Sequence, residues 1–96
     1  DVLYARVAWS VQLLTGDVFD EHGLSWQRTD RGFNVIEKRF PNSPYVQNAR
    51  AYMAVMGCEK TLAPRKLVTA LHGRIDLKVW TSKKNFIRLT KDLNPN

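Results

Sequence analysis

The chain has 96 residues, 44% of them hydrophobic, with 15 Lys and Arg against 9 Asp and Glu for a net charge of +6. That length allows one small domain or a piece of a larger one, and the apolar content argues against a disordered chain. No apolar run approaches the roughly 20 residues needed to cross a bilayer, and the single cysteine, Cys58, excludes an internal disulfide framework.

Val2 to Leu14 carries apolar residues on most of its turns, and Gly16 stands just beyond as a stop. So broad a stripe predicts a helix with neighbours on two sides. A polar connection follows, holding Asp17, Asp20 and Glu21. Ser25 then serves as the N-cap of a helix running to about Phe40, with Trp26, Phe33, Ile36 and Phe40 on one face. Gly32 inside that helix costs about 1 kcal/mol relative to alanine, so close approach of a neighbouring helix is the reason to expect for it.

Lys38-Arg39-Phe40-Pro41-Asn42-Ser43-Pro44-Tyr45 ends one amphipathic segment and starts the next within a few residues. Pro41 cannot continue a helix, Ser43 is a good N-cap, and Pro44 falls where its missing N–H costs nothing. This predicts a tight antiparallel helical hairpin. The helix from Pro44 carries Tyr45, Ala49, Tyr52, Met53 and Met56 and stops at Gly57, with Ala49, Ala51 and Ala54 suited to close helix contact. A short turn over residues 57–60 follows, and Pro64 marks the opening turn of a fourth helix whose apolar positions are Leu67, Val68 and Leu71; His72-Gly73 ends it. Ile75, Leu77 and Val79 alternate, but no second strand exists to pair with them, so an extended connection with Trp80 anchored in the core is expected. A last helix starts after a cap at Thr81 or Ser82 and buries Phe86, Leu89 and Leu93, while Asn94-Pro95-Asn96 frays.

The turn pattern Arg39-Phe40-Pro41-x-Ser43-x-Tyr45, with Phe33 before it and Ala49 after it, resembles the hairpins of tetratricopeptide-like proteins of bacterial envelopes, namely outer-membrane assembly lipoproteins and periplasmic Tol-associated proteins. A second resemblance covers roughly residues 2 to 90. Trp26, Gly32-Phe33, Phe40-Pro41, Asn48, Gly57, Val79-Trp80, Ser82-Lys83 and Phe86 are similar to the C-terminal part of a bacterial family of uncharacterised function. Cys58-Glu59 and Pro64 depart from that pattern. The resemblances imply an all-α fold of about five antiparallel helices in a tetratricopeptide-like right-handed stack, within one domain over 1–96. They imply a bacterial protein of the cytoplasm or periplasm, and no defined activity. Because the chain starts at Asp1 rather than Met, a processed chain or a fragment of a longer one is expected.

No catalytic constellation is legible. His22 and His72 are the only histidines and Cys58 the only thiol, so no zinc-ligand spacing exists, and no glycine-rich loop follows a strand. Cys58 reads as a small packed residue and His72 as a helix C-terminal residue. No enzyme activity and no cofactor are therefore expected.

Two binding readings remain. The first is a protein–protein interaction or scaffold module, whose partner is another protein or the rest of its own chain, with Tyr45, Asn48 and Tyr52 lining a peptide groove. The second rests on charge. Residues 1–48 hold five basic and six acidic side chains, whereas residues 49–96 hold ten basic and three acidic ones. Arg65, Lys66, Arg74, Lys78, Lys83, Lys84, Arg88 and Lys91 would then form a patch for nucleic acid or an acidic surface. A solvated outer helix face is the plainer account of the same charges.

Overall fold

The computed structural model describes residues 1–15, 23–58 and 62–93. The described residues form six α-helices and no strand: α1 (Val2–Thr15), α2 (Trp26–Arg39), α3 (Pro44–Gly57), α4 (Leu62–Ala70), α5 (Leu77–Trp80) and α6 (Lys83–Thr90). A 3₁₀ turn, Lys91–Leu93, continues α6. The stop at Gly16, the acidic connection Asp17–Glu21 with His22, the Glu59-Lys60 part of the third turn and the end at Asn94–Asn96 lie outside the described residues.

The helix boundaries follow the capping chemistry. Ser25 accepts the N–H of Arg28 at the start of α2, and Ser43 accepts that of Val46 at the start of α3 beside Pro44. Each cap removes one of the unpaired N–H groups that a helix start leaves. Pro64 falls in the first turn of α4, where its missing N–H would have had no intrahelical acceptor. At the other end of α4, His72 (φ 51°) and Gly73 (φ 77°) both take left-handed conformations and turn the chain out of the helix.

The first core cluster joins α1, α2 and α3 through Ala5, Ala8, Trp26, Phe33, Ala49, Met53 and Ala54. Gly32 permits it. A Cβ there would lie 2.6 Å from the Cβ of Ala5 and against the backbone of Asp1, so only glycine lets α1 approach α2 so closely. The second cluster, Ala51, Leu71, Val79 and Trp80, sits on the other side of α3 beneath α4, α5 and α6. An unbroken series of edge-to-face ring pairs links the two: Tyr45–Trp9–Tyr52–Trp80–Phe86, with centroid separations falling from 6.2 to 4.8 Å. Such pairs add about 0.5–1.5 kcal/mol each beyond the area they bury.

Three expectations change. Residues 77–80 form one helical turn rather than an extended connection, because Asp76 caps it by accepting the Lys78 N–H at 2.9 Å. Trp80 is nonetheless wholly buried. Phe40 is 58% exposed rather than core; it is the C-cap of α2, with φ −131° and ψ 63°, and leaves the helical register that carries Trp26, Phe33 and Ile36. Finally, α1 turns only one face inward, through Ala5, Ala8 and Gln12, and leaves Leu3 and Val7 at 71% and 48% exposure.

Candidate functional site

Asn48 and its neighbours are the most tightly determined part of the molecule. Its carboxamide nitrogen donates to the carbonyls of Pro44 (2.7 Å) and Arg74 (2.9 Å). Its carboxamide oxygen accepts the Asp76 N–H (3.1 Å) and the Trp80 indole N–H (2.9 Å). Two donor and two acceptor capacities are all used, and the side chain is fully buried. The expected groove of Tyr45, Asn48 and Tyr52 is therefore not one open surface, since Asn48 is a core tie between α3 and the α4–α5 connection. Tyr52 packs between Trp9 and Trp80 and is half-buried. Tyr45 alone is exposed, and its hydroxyl accepts the Trp9 indole N–H at 2.9 Å.

The eight basic residues of the expected patch are all exposed. Among the described residues the ion pairs belong instead to Arg28 and Arg31 with Asp1, and to Arg50 with Asp30 and Glu37. Lys83, Lys84, Arg88 and Lys91 follow one another at steps of one, four and three, so they occupy one arc of α6 and its 3₁₀ continuation. Phe86, Asn85, Leu89 and Thr90 take the opposite, more buried arc. Ile87 breaks the segregation: it stands within the basic arc and is 55% exposed.

Arg65 of α4 meets the end of α6 on the side of Phe86 and Thr90. Its Nε donates to the carbonyl of Leu93 at 2.6 Å, which places the start of α4 beside the end of α6. The end of α4 leads through α5 into the start of α6, so the two helices run antiparallel. Between them lies a cleft of about 300 Å³ lined by Arg65, Val68, Thr69, Phe86, Thr90 and Leu93. Arg65 and Lys66 stand midway along α4, and Arg74 stands beyond its C-terminal end, past the left-handed turn at His72 and Gly73. Arg74 directs its Nε to the carbonyl of Leu71 at 3.0 Å, and Lys78 is on α5. Of the predicted basic residues only Arg65 lines the cleft, and the basic arc of α6 lies away from Phe86 and Thr90, which line it. The sequence pattern did not reveal the cleft itself, although Ile87, out of step with Phe86 and Leu89, was a readable sign that α6 presents apolar surface outward.

Lys83 and Lys84 occupy the first turn of α6, with no acidic residue beside them there. The helix dipole disfavours cations at that end by a few tenths of a kcal/mol or more each. Local stability does not account for their placement.

A second cleft, of about 400 Å³, is lined by Asp1, Leu3, Tyr4, Val7, Leu24 and Arg28 along the outer side of α1. Tyr4 is fixed on its rim: its hydroxyl accepts the Ser25 N–H at 2.7 Å, and the Arg28 guanidinium lies 4.0 Å above its ring. Among the described residues no group of three or more His, Cys, Asp or Glu side chains comes together as a metal site would require. Cys58 is half-buried at the C-cap of α3, and His72 is exposed at the turn after α4.

The described residues define an all-α fold, and these clefts open on its surface. No family model, no curated protein and no solved structure matches the chain. Among the described residues no helix is long and apolar enough to cross a membrane.

Proposed function

We propose that this chain is a non-catalytic helical interaction or scaffold module that docks through the outer face of α1, either onto another protein or onto the rest of its own chain. One observation carries the reading. α1 is apolar around most of its circumference, yet Leu3 and Val7 face solvent beside the 400 Å³ cleft. A helix with apolar residues on every side is normally enclosed, and a contiguous exposed apolar strip marks an interaction surface. The consecutive packing of α1 on α2, α2 on α3 and α3 on α4 supports a tetratricopeptide-like arrangement over the first four helices. α5, which packs on α3, departs from it.

Site-specific photo-crosslinking tests the reading. A benzophenone side chain at Leu3 or Val7, irradiated in the native cell, yields a defined protein adduct or internal crosslink. The same group at exposed Arg39 does not. Equal labelling from all three positions, or none from Leu3 and Val7, would overturn the assignment.

A further inference from the structure

We propose that the outer arc of α6 binds double-stranded DNA by lying in its major groove, at a surface separate from the α1 face. The inference begins with the geometry of one helix. At about 100° per residue, Lys83, Ile87, Lys91, Lys84 and Arg88 follow one another around about 140° of the circumference, and all are exposed. Lys91 keeps helical angles (φ −59°, ψ −35°), so the arc runs unbroken for about 12 Å along the axis. No residue of α6 is fully buried, which puts the helix at the edge of the molecule.

Lys83, Lys84, Arg88 and Lys91 supply the charge, and among the described residues none of them pairs with a carboxylate. Asp92, the one acid within residues 83–93, falls at the edge of the arc beyond Arg88. An exposed ion pair with a protein carboxylate contributes only about 0–1 kcal/mol. The arc also has no pocket for the buried anchor on which protein interfaces rely, since the α4/α6 cleft opens on the side of Phe86 and Thr90. A nucleic acid differs, because each phosphate that a lysine or arginine neutralises releases a condensed counterion. Lys83 and Lys84 stand in the first turn against the helix dipole, and a phosphate beside them satisfies both the lysines and the helix end.

The distribution of the cations selects among polyanions. Lys83 and Arg88 mark the two flanks of the arc, whereas Ile87, Lys91 and Lys84 lie between them. The major groove of B-DNA is about 12 Å wide and admits one helix. A helix seated there sets its flanking cations against the phosphates of the two walls. Ile87 then turns to the floor, where thymine methyls offer an apolar contact. The major groove of an A-form duplex is too deep and narrow to take this face. A single strand gains from stacking on open rings, but the exposed rings Phe40 and Tyr45 are at the α2–α3 turn. A bilayer is flat and meets only the middle of the arc, where Ile87 is the one apolar side chain to insert.

Arg88 is held in place for this role. Its Nη2 donates to Asn85 Oδ1 at 2.6 Å, and the Asn85 carboxamide nitrogen donates at 2.8 Å to the carbonyl of the wholly buried Trp80. Two hydrogen bonds thus tie to the core the one cation of the arc whose planar fork matches a phosphate.

The test is the fluorescence anisotropy of a fluorescein-labelled, mixed-sequence DNA duplex titrated with the whole chain, beginning at about 50 mM ionic strength and repeated as salt is raised. Parallel titrations use the single strand, a duplex RNA of the same sequence, and vesicles containing phosphatidylserine. Duplex DNA binds with a micromolar Kd, and the logarithm of affinity falls against that of salt with a slope of about −3.6, which is about −0.9 for each of four phosphates. The other probes bind more weakly. Lys83→Gln, Lys84→Gln, Arg88→Gln and Lys91→Gln each bring the slope about 0.9 closer to zero, and the four together abolish binding. Lys38→Gln with Arg39→Gln, which removes two exposed cations at the end of α2, leaves the slope unchanged. Circular dichroism shows that the variants are folded, and the single changes carry the test where the fourfold one is not. Absence of duplex binding overturns the proposal. So does a slope that the α6 changes leave in place, or that the α2 pair lowers as much. Duplex RNA, single strand or vesicles binding as tightly as duplex DNA overturn it too, because the groove would then play no part.

Discussion

The carboxamide oxygen of Asn48 accepts the indole N–H of Trp80 across 2.9 Å, joining residues 32 positions apart in the chain inside a fully buried site. The same oxygen takes the Asp76 N–H, whose residue caps α5, so one side chain sets both the start of that helix and the anchoring of its last residue. The tie reaches α6 as well, because Asn85 in α6 donates to the carbonyl of Trp80 at 2.8 Å. The basic arc is thereby positioned from the core outward.

Replacing Asn48 with leucine fills nearly the same volume but leaves the Trp80 indole N–H, the Asp76 N–H and the Arg74 carbonyl without partners. Each buried unpaired group costs about 1–3 kcal/mol, so a loss of about 3 kcal/mol is expected in urea unfolding. Asn48→Asp, which keeps the acceptor oxygen, loses less at a pH where the side chain is neutral. A leucine variant within about 0.5 kcal/mol of the parent, well below one such penalty, contradicts the role assigned to this residue.

Asn48 also shows what the sequence can and cannot disclose. Its place in α3, at helical spacing from Tyr45 and Tyr52, is visible in the pattern and suggests a groove. Its partners lie 26 to 32 residues further along, in a segment whose alternation of Ile75, Leu77 and Val79 masks a single capped turn. Local chemistry was readable where it was self-contained: Ser25, Ser43, Pro44 and Gly32 each announce a cap, a turn or a close approach from their own properties. The exposed face of α1 was not, because Leu3 and Val7 look like any other core positions until their neighbours are known. The cleft has the same origin, since it depends on the meeting of Arg65 and Leu93.

Gly32→Ala weighs two opposed effects. Alanine gains about 1 kcal/mol of helix propensity over glycine, but its Cβ meets Ala5 at 2.6 Å and the Asp1 backbone. Overpacking of this kind costs about 1–3 kcal/mol, and rigid backbone offers little room to relax. Net destabilisation is expected, with partial recovery when Ala5→Gly is added. A single variant more stable than the parent in thermal unfolding shows that α1 shifts freely on α2.

Arg50 bridges Asp30 and Glu37 of α2 at 2.7 and 3.2 Å, with only 14% of its own side chain exposed. Arg50→Met keeps the aliphatic packing and leaves two partly exposed carboxylates without their cation, so a loss of about 1–2 kcal/mol follows. Asp30→Asn or Glu37→Gln alone costs less than about 1 kcal/mol, since each acid also reaches water. Added salt narrows the differences. If the methionine variant matches the parent across the salt range, the bridge does not hold α2 to α3.

Lys83 and Lys84 stand against the field of their own helix. Both stand in the first turn of α6, where the dipole favours acidic residues. Lys83→Glu is therefore expected to raise unfolding stability by about 0.3–1 kcal/mol at low ionic strength, the gain shrinking as salt is added. Lys66→Glu, past the first turn of α4, brings no such gain. A gain in Lys83→Glu alone assigns the difference to the dipole of α6. Should Lys83→Glu lose stability instead, the lysine makes a contact that holds α6 in place.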